Sequence, residues 1–269
     1  MTLAYDDRGS GPVVVLIHGH PFDRSMWRLQ LDELSRWWRI VVPDLRGFGE
    51  SAATAGTVSM CELAADVWEL LGELGIRRFA VVGLSMGGLI AMEMSITHPE
   101  CVWALGLVAT TVQPLAEGEP ERRLALADRV EIEGMDAMLE YMRPQFGPDP
   151  DPQVVEEVTA MIARNSPQGA AAALRGRAAR PDYRPGLREL TTPSFVCVGT
   201  HDVWSTSEVT QEIVECLRAP HVVTLDRVGH LPTSRMPTAS MPSCRAFSTR
   251  HDATAATPDN VAVALRDGR

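Results

Sequence analysis

The chain has 269 residues, 45% hydrophobic and 22% charged, with a formal net charge of -10. That length admits one large α/β domain carrying an insertion, or two small domains. The acidic surplus repels a phosphate backbone, no Lys and Arg cluster interleaves with aromatics, and no apolar run approaches the roughly 18 residues of a membrane span, so neither nucleic acid nor a bilayer is an expected partner.

The first residues lack the basic start and apolar stretch of a secretory signal, so the expected location is the cytoplasm. Five widely spaced cysteines (Cys61, Cys101, Cys197, Cys216 and Cys244) form no C-x-x-C pair and read as reduced thiols, mostly in the core.

In chain order, residues 13–17 form a short apolar run rich in β-branched side chains, the pattern of a strand buried on both faces. A helical pattern with apolar spacings of three and four follows at 27–38, then a strand at 40–42 and a helix at 60–74. The alternation continues with a strand at 79–82, a helix at 89–98 and a strand at 102–108. It resumes at 195–198 (strand), 207–217 (helix) and 221–225 (strand). Such an order implies a mostly parallel sheet covered by helices on both faces, with chemistry in loops at the carboxyl ends of the strands.

Between residues 111 and 190 no strand pattern occurs, and three helical segments read as an inserted cap. Pro120 precedes 121–132, Pro152 precedes 154–164, and Ser166 with Pro167 fits an N-cap and first helical position before 170–174. Met135, Met138, Met142 and Met161 read as packing within this cap rather than as a pocket lining. The core is thus expected at 1–110 and 191–232, the cap at 111–190 and an atypical tail at 233–269.

Gly83-Leu84-Ser85-Met86-Gly87 directly follows a predicted strand and opens a predicted helix. A turn this sharp exposes the serine hydroxyl and needs glycines beside it to avoid clashes. The helix N-terminus also offers unpaired N–H groups to a developing anion. A serine hydroxyl is a weak nucleophile near neutral pH, so it needs a base, and the base needs a third group to set its tautomer. Asp202 follows the strand at 195–198, and His230 lies just beyond the last strand, in the chain order Ser, Asp, His. His18, His20, His98, His221 and His251 are weaker candidates for the base, Thr110 and Thr111 offer no carboxylate after the strand at 102–108, and His201 reads as a solvated loop residue. Asp44 and its neighbours up to Ser51 read as a structural loop.

These segments, with His18-Gly19-His20-Pro21, resemble the α/β-hydrolase superfamily, and more narrowly its small capped esterases, enol-lactonases and cofactor-free haloperoxidases. The resemblance runs to Pro232 and implies an oxyanion hole formed by the backbone N–H groups of His20 and Met86. His18 and His20 as a metal pair is the competing reading, without a nearby carboxylate or third ligand to support it. Relatives end in an amphipathic helix, whereas residues 233–260 here carry Pro237, Pro242 and Pro258 among many Ser and Thr residues, a composition suited to loop. Back-translation with one nucleotide restored after Pro232 permits an amphipathic helix, so a frameshift is the expectation there. The start of the chain also reads as short, as if an edge strand were absent.

The expected activity is hydrolysis of a small-molecule carboxylic ester or lactone by Ser85, His230 and Asp202, with no cofactor and no metal. C–C bond hydrolysis or perhydrolysis by the same site, and a non-catalytic ligand-binding module, are the competing readings. Dehalogenase or epoxide hydrolase chemistry is disfavoured because such relatives carry Asp where Ser85 stands. Arg122, Arg123, Arg177, Arg180 and Arg184 are each read as solvated surface, with a substrate carboxylate as the less favoured role. The sequence sets no oligomeric state.

Overall fold

The computed structural model describes residues 2–146 and 150–232. The tail, the frameshift expectation and Cys244 fall outside the described residues. Among the described residues seven strands form one sheet: β1 (Tyr5–Arg8), β2 (Val13–Ile17), β3 (Arg39–Pro43), β4 (Phe79–Leu84), β5 (Val102–Val108), β6 (Ser194–Gly199) and β7 (His221–Leu225). Their order is β1-β3-β2-β4-β5-β6-β7, with β1 antiparallel to β3 and the others parallel. An edge strand does precede Val13, although the sequence pattern did not reveal it. The Tyr-Asp-Asp-Arg segment is mostly exposed and has no apolar face, and its main-chain bonds to β3 hold it in place.

The central strand β4 is buried along its whole length, which explains its uninterrupted apolar sequence. Helices α1 (Arg28–Leu34), α2 (Met60–Glu73), α3 (Met86–Thr97) and α9 (Ser207–Cys216) alternate with the strands. Ser59 and Glu62 form a reciprocal capping box that starts α2. Helix α3 is apolar nearly all round because it packs on β2, β4 and β5 and is covered by α2 on another side. Of the four described cysteines, all free, Cys197 and Cys216 are buried, Cys101 is half-buried and Cys61 is exposed. Among the described residues no helix is long and apolar enough to cross a membrane.

Among the described residues, five α-helices lie between β5 and β6: α4 (Glu119–Glu133), α5 (Met135–Met142), α6 (Pro152–Ala163), α7 (Pro167–Ala178) and α8 (Arg184–Glu189). The sequence pattern revealed three of them, and Ser166 caps α7 as expected by accepting from Gly169 N. Helices α5 and α8 are only 8 and 6 residues long, too short to display a repeated apolar period. Helix α8 packs mainly on α3 and α9, with the core layer. Met135, Met138, Met142 and Met161 are all buried in the continuous apolar core, in agreement with a packing role.

The inserted helices are docked rather than loosely laid over the sheet. Helix α7 buries Ala170, Ala171, Ala172 and Ala173, small side chains that let its backbone approach the loops after β3. A Cβ on Gly169 would lie 2.1 Å from the Gly47 carbonyl oxygen, and Val58 N donates to the Ala172 carbonyl at 3.1 Å. Arg164 grips Asp23 with two hydrogen bonds of 2.8 and 2.9 Å. Buried Asn165 accepts from Gly49 N at 2.6 Å and donates to the carbonyls of Pro21 and Met161 at 2.9 and 3.0 Å. Loss of this amide strands a buried donor and two carbonyls, each worth roughly 1–3 kcal/mol when unsatisfied. Asn165→Ala is therefore expected to destabilise the protein by about 2 kcal/mol or more, read as a lower urea midpoint at unchanged slope.

Candidate active site

Strand β4 turns into α3 through Ser85, whose backbone sits at φ 52° and ψ -111°. A non-glycine residue held in this region costs about 1–3 kcal/mol and persists only when its surroundings over-determine it. Here Ser85 N donates to the Val108 carbonyl at 2.9 Å. The Ser85 carbonyl accepts from Thr110 Oγ1 at 2.7 Å and from the N–H groups of Gly88 and Leu89. The flanking glycines are required by space: a Cβ on Gly83 would stand 2.0 Å from the Gly87 carbonyl oxygen, and one on Gly87 would stand 2.3 Å from that of Ile17. The turn leaves the serine side chain facing a cavity of about 900 Å³ between the sheet and the inserted helices.

Asp202 and His230, 28 residues apart in sequence, meet beside that cavity. His230 Nδ1 lies 2.8 Å from Asp202 Oδ2, with both side chains buried. Asp202 Oδ1 accepts from the N–H groups of Trp204 and Ser205 at 2.8 and 2.9 Å, so neither oxygen lacks a donor. Burial by itself pushes this carboxyl up, but the His230 charge and hydrogen bond, with the two backbone donors, outweigh it and hold Asp202 below the usual carboxylate range. When the ring is neutral, an ionised Asp202 holds its single proton on His230 Nδ1 and leaves the Nε2 lone pair free. Nε2 is buried and has no hydrogen-bond partner. Ser85 and His230 line the same cavity, and no hydrogen bond joins them among the described residues. The ring is seated from outside by Trp204, edge-on at 4.9 Å, which stacks in turn on Tyr141 at 5.1 Å. His230 N donates to the Gln145 carbonyl at 3.1 Å, tying this loop to the insertion.

The loop after β2 brings His18 and His20 close to the same turn, and Phe48 stands edge-on to both rings. His18 Nδ1 bonds the Gly19 carbonyl at 2.9 Å and Nε2 accepts from Leu45 N at 2.9 Å, so backbone occupies both of its nitrogens. His20 Nε2 bonds the Ala170 carbonyl at 2.9 Å. Burial pushes both rings below the ordinary imidazole range, and for His20 the nearby Arg177 charge pushes in the same direction. Both imidazoles are thus neutral; the backbone occupies both nitrogens of His18, whereas His20 Nδ1 is buried without a hydrogen-bond partner. Among the described residues the backbone N–H groups of His20 and Met86 donate no backbone hydrogen bond. Asp44 is buried and structural, as its loop context implied: it accepts from the N–H groups of Arg24 and Glu50 at 2.7 and 2.9 Å and pairs with the Arg24 guanidinium. His201 is an exposed loop residue, also as expected.

The arginines correct the sequence expectation. Arg122 and Arg184 are paired with Glu119 and Asp182 near the surface, but Arg177 is buried and Arg123 and Arg180 are half-buried, and all three line the cavity that holds Ser85. The pattern did carry a signal. Arg177 continues the buried stripe of Ala170, Ala173 and Leu174 on α7, and Arg123 continues that of Leu126, Ala127 and Val130 on α4, both at spacings of three, four and seven. Thr110, Tyr141 and Trp204, which brace the site, had no such signal, because their neighbours come from distant segments.

Comparison with known proteins agrees with this architecture. The family model described as the alpha/beta hydrolase family matches residues 14–240. A thermophilic esterase from Thermogutta terrifontis superposes with a TM-score of 0.89 at 34% identity, covering 92% of this chain and 93% of its own. The enol-lactonase from Burkholderia xenovorans superposes with a TM-score of 0.85 at 27% identity, over 92% of this chain and 96% of its own. In sequence, 3-oxoadipate enol-lactonase 2 of Acinetobacter baylyi is 27% identical over 229 residues, 80% of this chain and 84% of that protein. Pimeloyl-[acyl-carrier protein] methyl ester esterase of Vibrio cholerae is 26% identical over 241 residues, 86% and 92% of the two chains. With the sheet order, the sharp turn at Ser85 and a family match over most of its length, the chain belongs to the alpha/beta hydrolase family.

Proposed function

We propose that this protein is a serine hydrolase that cleaves a small carboxylic ester or lactone through an acyl-enzyme on Ser85. One observation carries the reading: a strained serine faces a cavity that also holds an imidazole whose Nδ1 is anchored 2.8 Å from a buried carboxylate. Relatives named as an enol-lactonase and a methyl ester esterase support acyl transfer as the chemistry. A volume of about 900 Å³ suits a small-molecule ligand.

In this reading Ser85 Oγ attacks the substrate carbonyl carbon while His230 Nε2 takes the hydroxyl proton. Catalytic hydrogen bonds are often long in a free enzyme and tighten in the substrate complex, so the open Ser85–His230 contact is compatible with that role. Asp202 holds the ring in the required tautomer and stabilises the imidazolium. The N–H groups of His20 and Met86 receive the carbonyl oxygen as it becomes an oxyanion, and the dipole of α3 adds to their field. Collapse of the intermediate breaks the C–O bond, and the leaving alkoxide takes the proton from His230. Water then attacks the acyl-enzyme, His230 accepts its proton and returns it to Ser85, and the acid departs. No step draws on a metal or organic cofactor.

A fluorophosphonate probe is expected to label the wild-type protein and not Ser85→Ala, and ester turnover is expected to fall about a million-fold in that variant. Equal labelling of both proteins would assign the nucleophile elsewhere. Asp202→Asn should keep the fold and lose about 10⁴-fold in kcat, since the amide favours the wrong imidazole tautomer. Stability gives an independent test. Because the folded pKa of Asp202 is depressed, its ionised form contributes stability above the unfolded carboxylate value, and that contribution fades as the pH falls through the folded value. His230→Ala removes the strongest influences holding that pKa down, so its destabilisation, measured by urea unfolding, should be larger at pH 7 than at pH 4.

A further inference from the structure

The cavity wall carries Arg122, Arg123, Arg129, Arg177 and Arg180 with one carboxylate, Glu119, and two of these cations have no ion-pair partner among the described residues. On the facing helices α4 and α7, three arginines have acidic partners: Arg122 with Glu119, Arg129 with Glu133 and Glu140, and Arg175 with Asp128 and Glu131. Arg123 and Arg177 do not. Among the described residues no carboxylate lies within ion-pair distance of either. Arg177 is only 7% exposed. Its Nε, and the Nε and Nη1 of Arg123, are buried without any hydrogen-bond partner. Arg180 joins them, with Nε spent on the Gln113 carbonyl at 3.0 Å.

Two guanidinium groups that interrupt buried stripes on packed helices and line one cavity, without an ion-pair partner among the described residues, oppose folding through desolvation and like-charge repulsion. Both effects are visible in their acidities. Burial and then Arg123 push Arg177 well down, and burial and then Arg123 bring Arg180 to about 10. The chain as a whole carries a charge of -10, so this cationic wall is a local arrangement against the overall sign. Such a cost is sustained where a ligand supplies the missing charge.

We propose that Arg123 and Arg177, assisted by Arg180, bind a free carboxylate on the substrate, so that the enzyme acts on esters or lactones of acids that bear a second, ionised carboxyl group. The inference rests on the ester-hydrolase reading of Ser85 and names its substrate class. The cavity links the two ends: Ser85 and His230 line one part, and Tyr141, adjacent to Trp204, leads to Arg177, with which it interacts electrostatically. A planar carboxylate matches the donor fork of a guanidinium and restores the hydrogen bonds that Arg123 and Arg177 lack.

Monomethyl and dimethyl esters of the same dicarboxylic acids, from glutarate to suberate, present the same acyl group with and without the free charge. The wild-type enzyme is expected to favour the monoester in kcat/KM by about tenfold or more at the best chain length, the scale of a hydrogen bond to a charged group. In Arg123→Gln and Arg177→Met this preference should collapse, mainly through KM for the monoester. Adipate should raise the Tm of Ser85→Ala, and should lose that effect when Arg177→Met is added. No preference in the wild type, or an equal loss on both esters in the two arginine variants, would overturn the proposal. If no ester is turned over and the fluorophosphonate does not react, the reading of Ser85 fails instead, and the adipate shift alone decides the arginine site.

Discussion

Everything at the candidate site depends on one steric allowance, the space left at Gly83 and Gly87. A strand can reverse into a helix within two residues only if nothing projects from the positions on either side of the apex, and here an added Cβ at either would enter a neighbouring carbonyl. The residue at the apex is consequently forced to positive φ and presents its side chain to the cavity. Four main-chain or hydroxyl hydrogen bonds hold it there, so strain of this kind is stored in a rigid support.

The remaining groups reach the apex because parallel strands end on the same side. Strands β2, β4, β6 and β7 each deliver a loop to that edge, carrying His20, Ser85, Asp202 and His230 in turn. Each loop is anchored through backbone bonds: Leu45 N on His18, Trp204 N and Ser205 N on Asp202, and the Gln145 carbonyl on His230 N. The inserted helices take part in this support. His20 through Ala170, Asp23 through Arg164 and Pro21 through Asn165 tie the loop after β2 to α7 and to the turn before it. The insertion therefore shapes the roof of the cavity and also holds the loop after β2 in place.

Two electrostatic regimes share the cavity. Near His230 the anionic Asp202 is fully hydrogen-bonded and its charge is useful to a cation that forms during proposed turnover. Across the cavity, Arg123, Arg177 and Arg180 accumulate positive charge; Glu119 on the same wall acts on Arg180, while Arg123 and Arg177 have no ion-pair partner among the described residues. A low-dielectric, partly enclosed space strengthens both fields, which gives an elongated ligand a preferred direction.

The sequence alone determined the strand and helix alternation, the inserted helical segment, the structural nature of the Asp44 loop, and the identities of Ser85, Asp202 and His230 as candidates. These were legible because each is written locally, in apolar period, in glycine spacing or in position just after a strand. The exposed strand β1 and the short helices α5 and α8 were not, since long-range pairing or packing holds them and their own patterns are weak. Only the tertiary structure decided that Arg123 and Arg177 line the same cavity as Ser85, and that Tyr141, Trp204 and Gln145 brace the histidine. The physical reason is that a side chain's charge is set by its chemistry, whereas its solvation and its partners are set by segments distant in the chain.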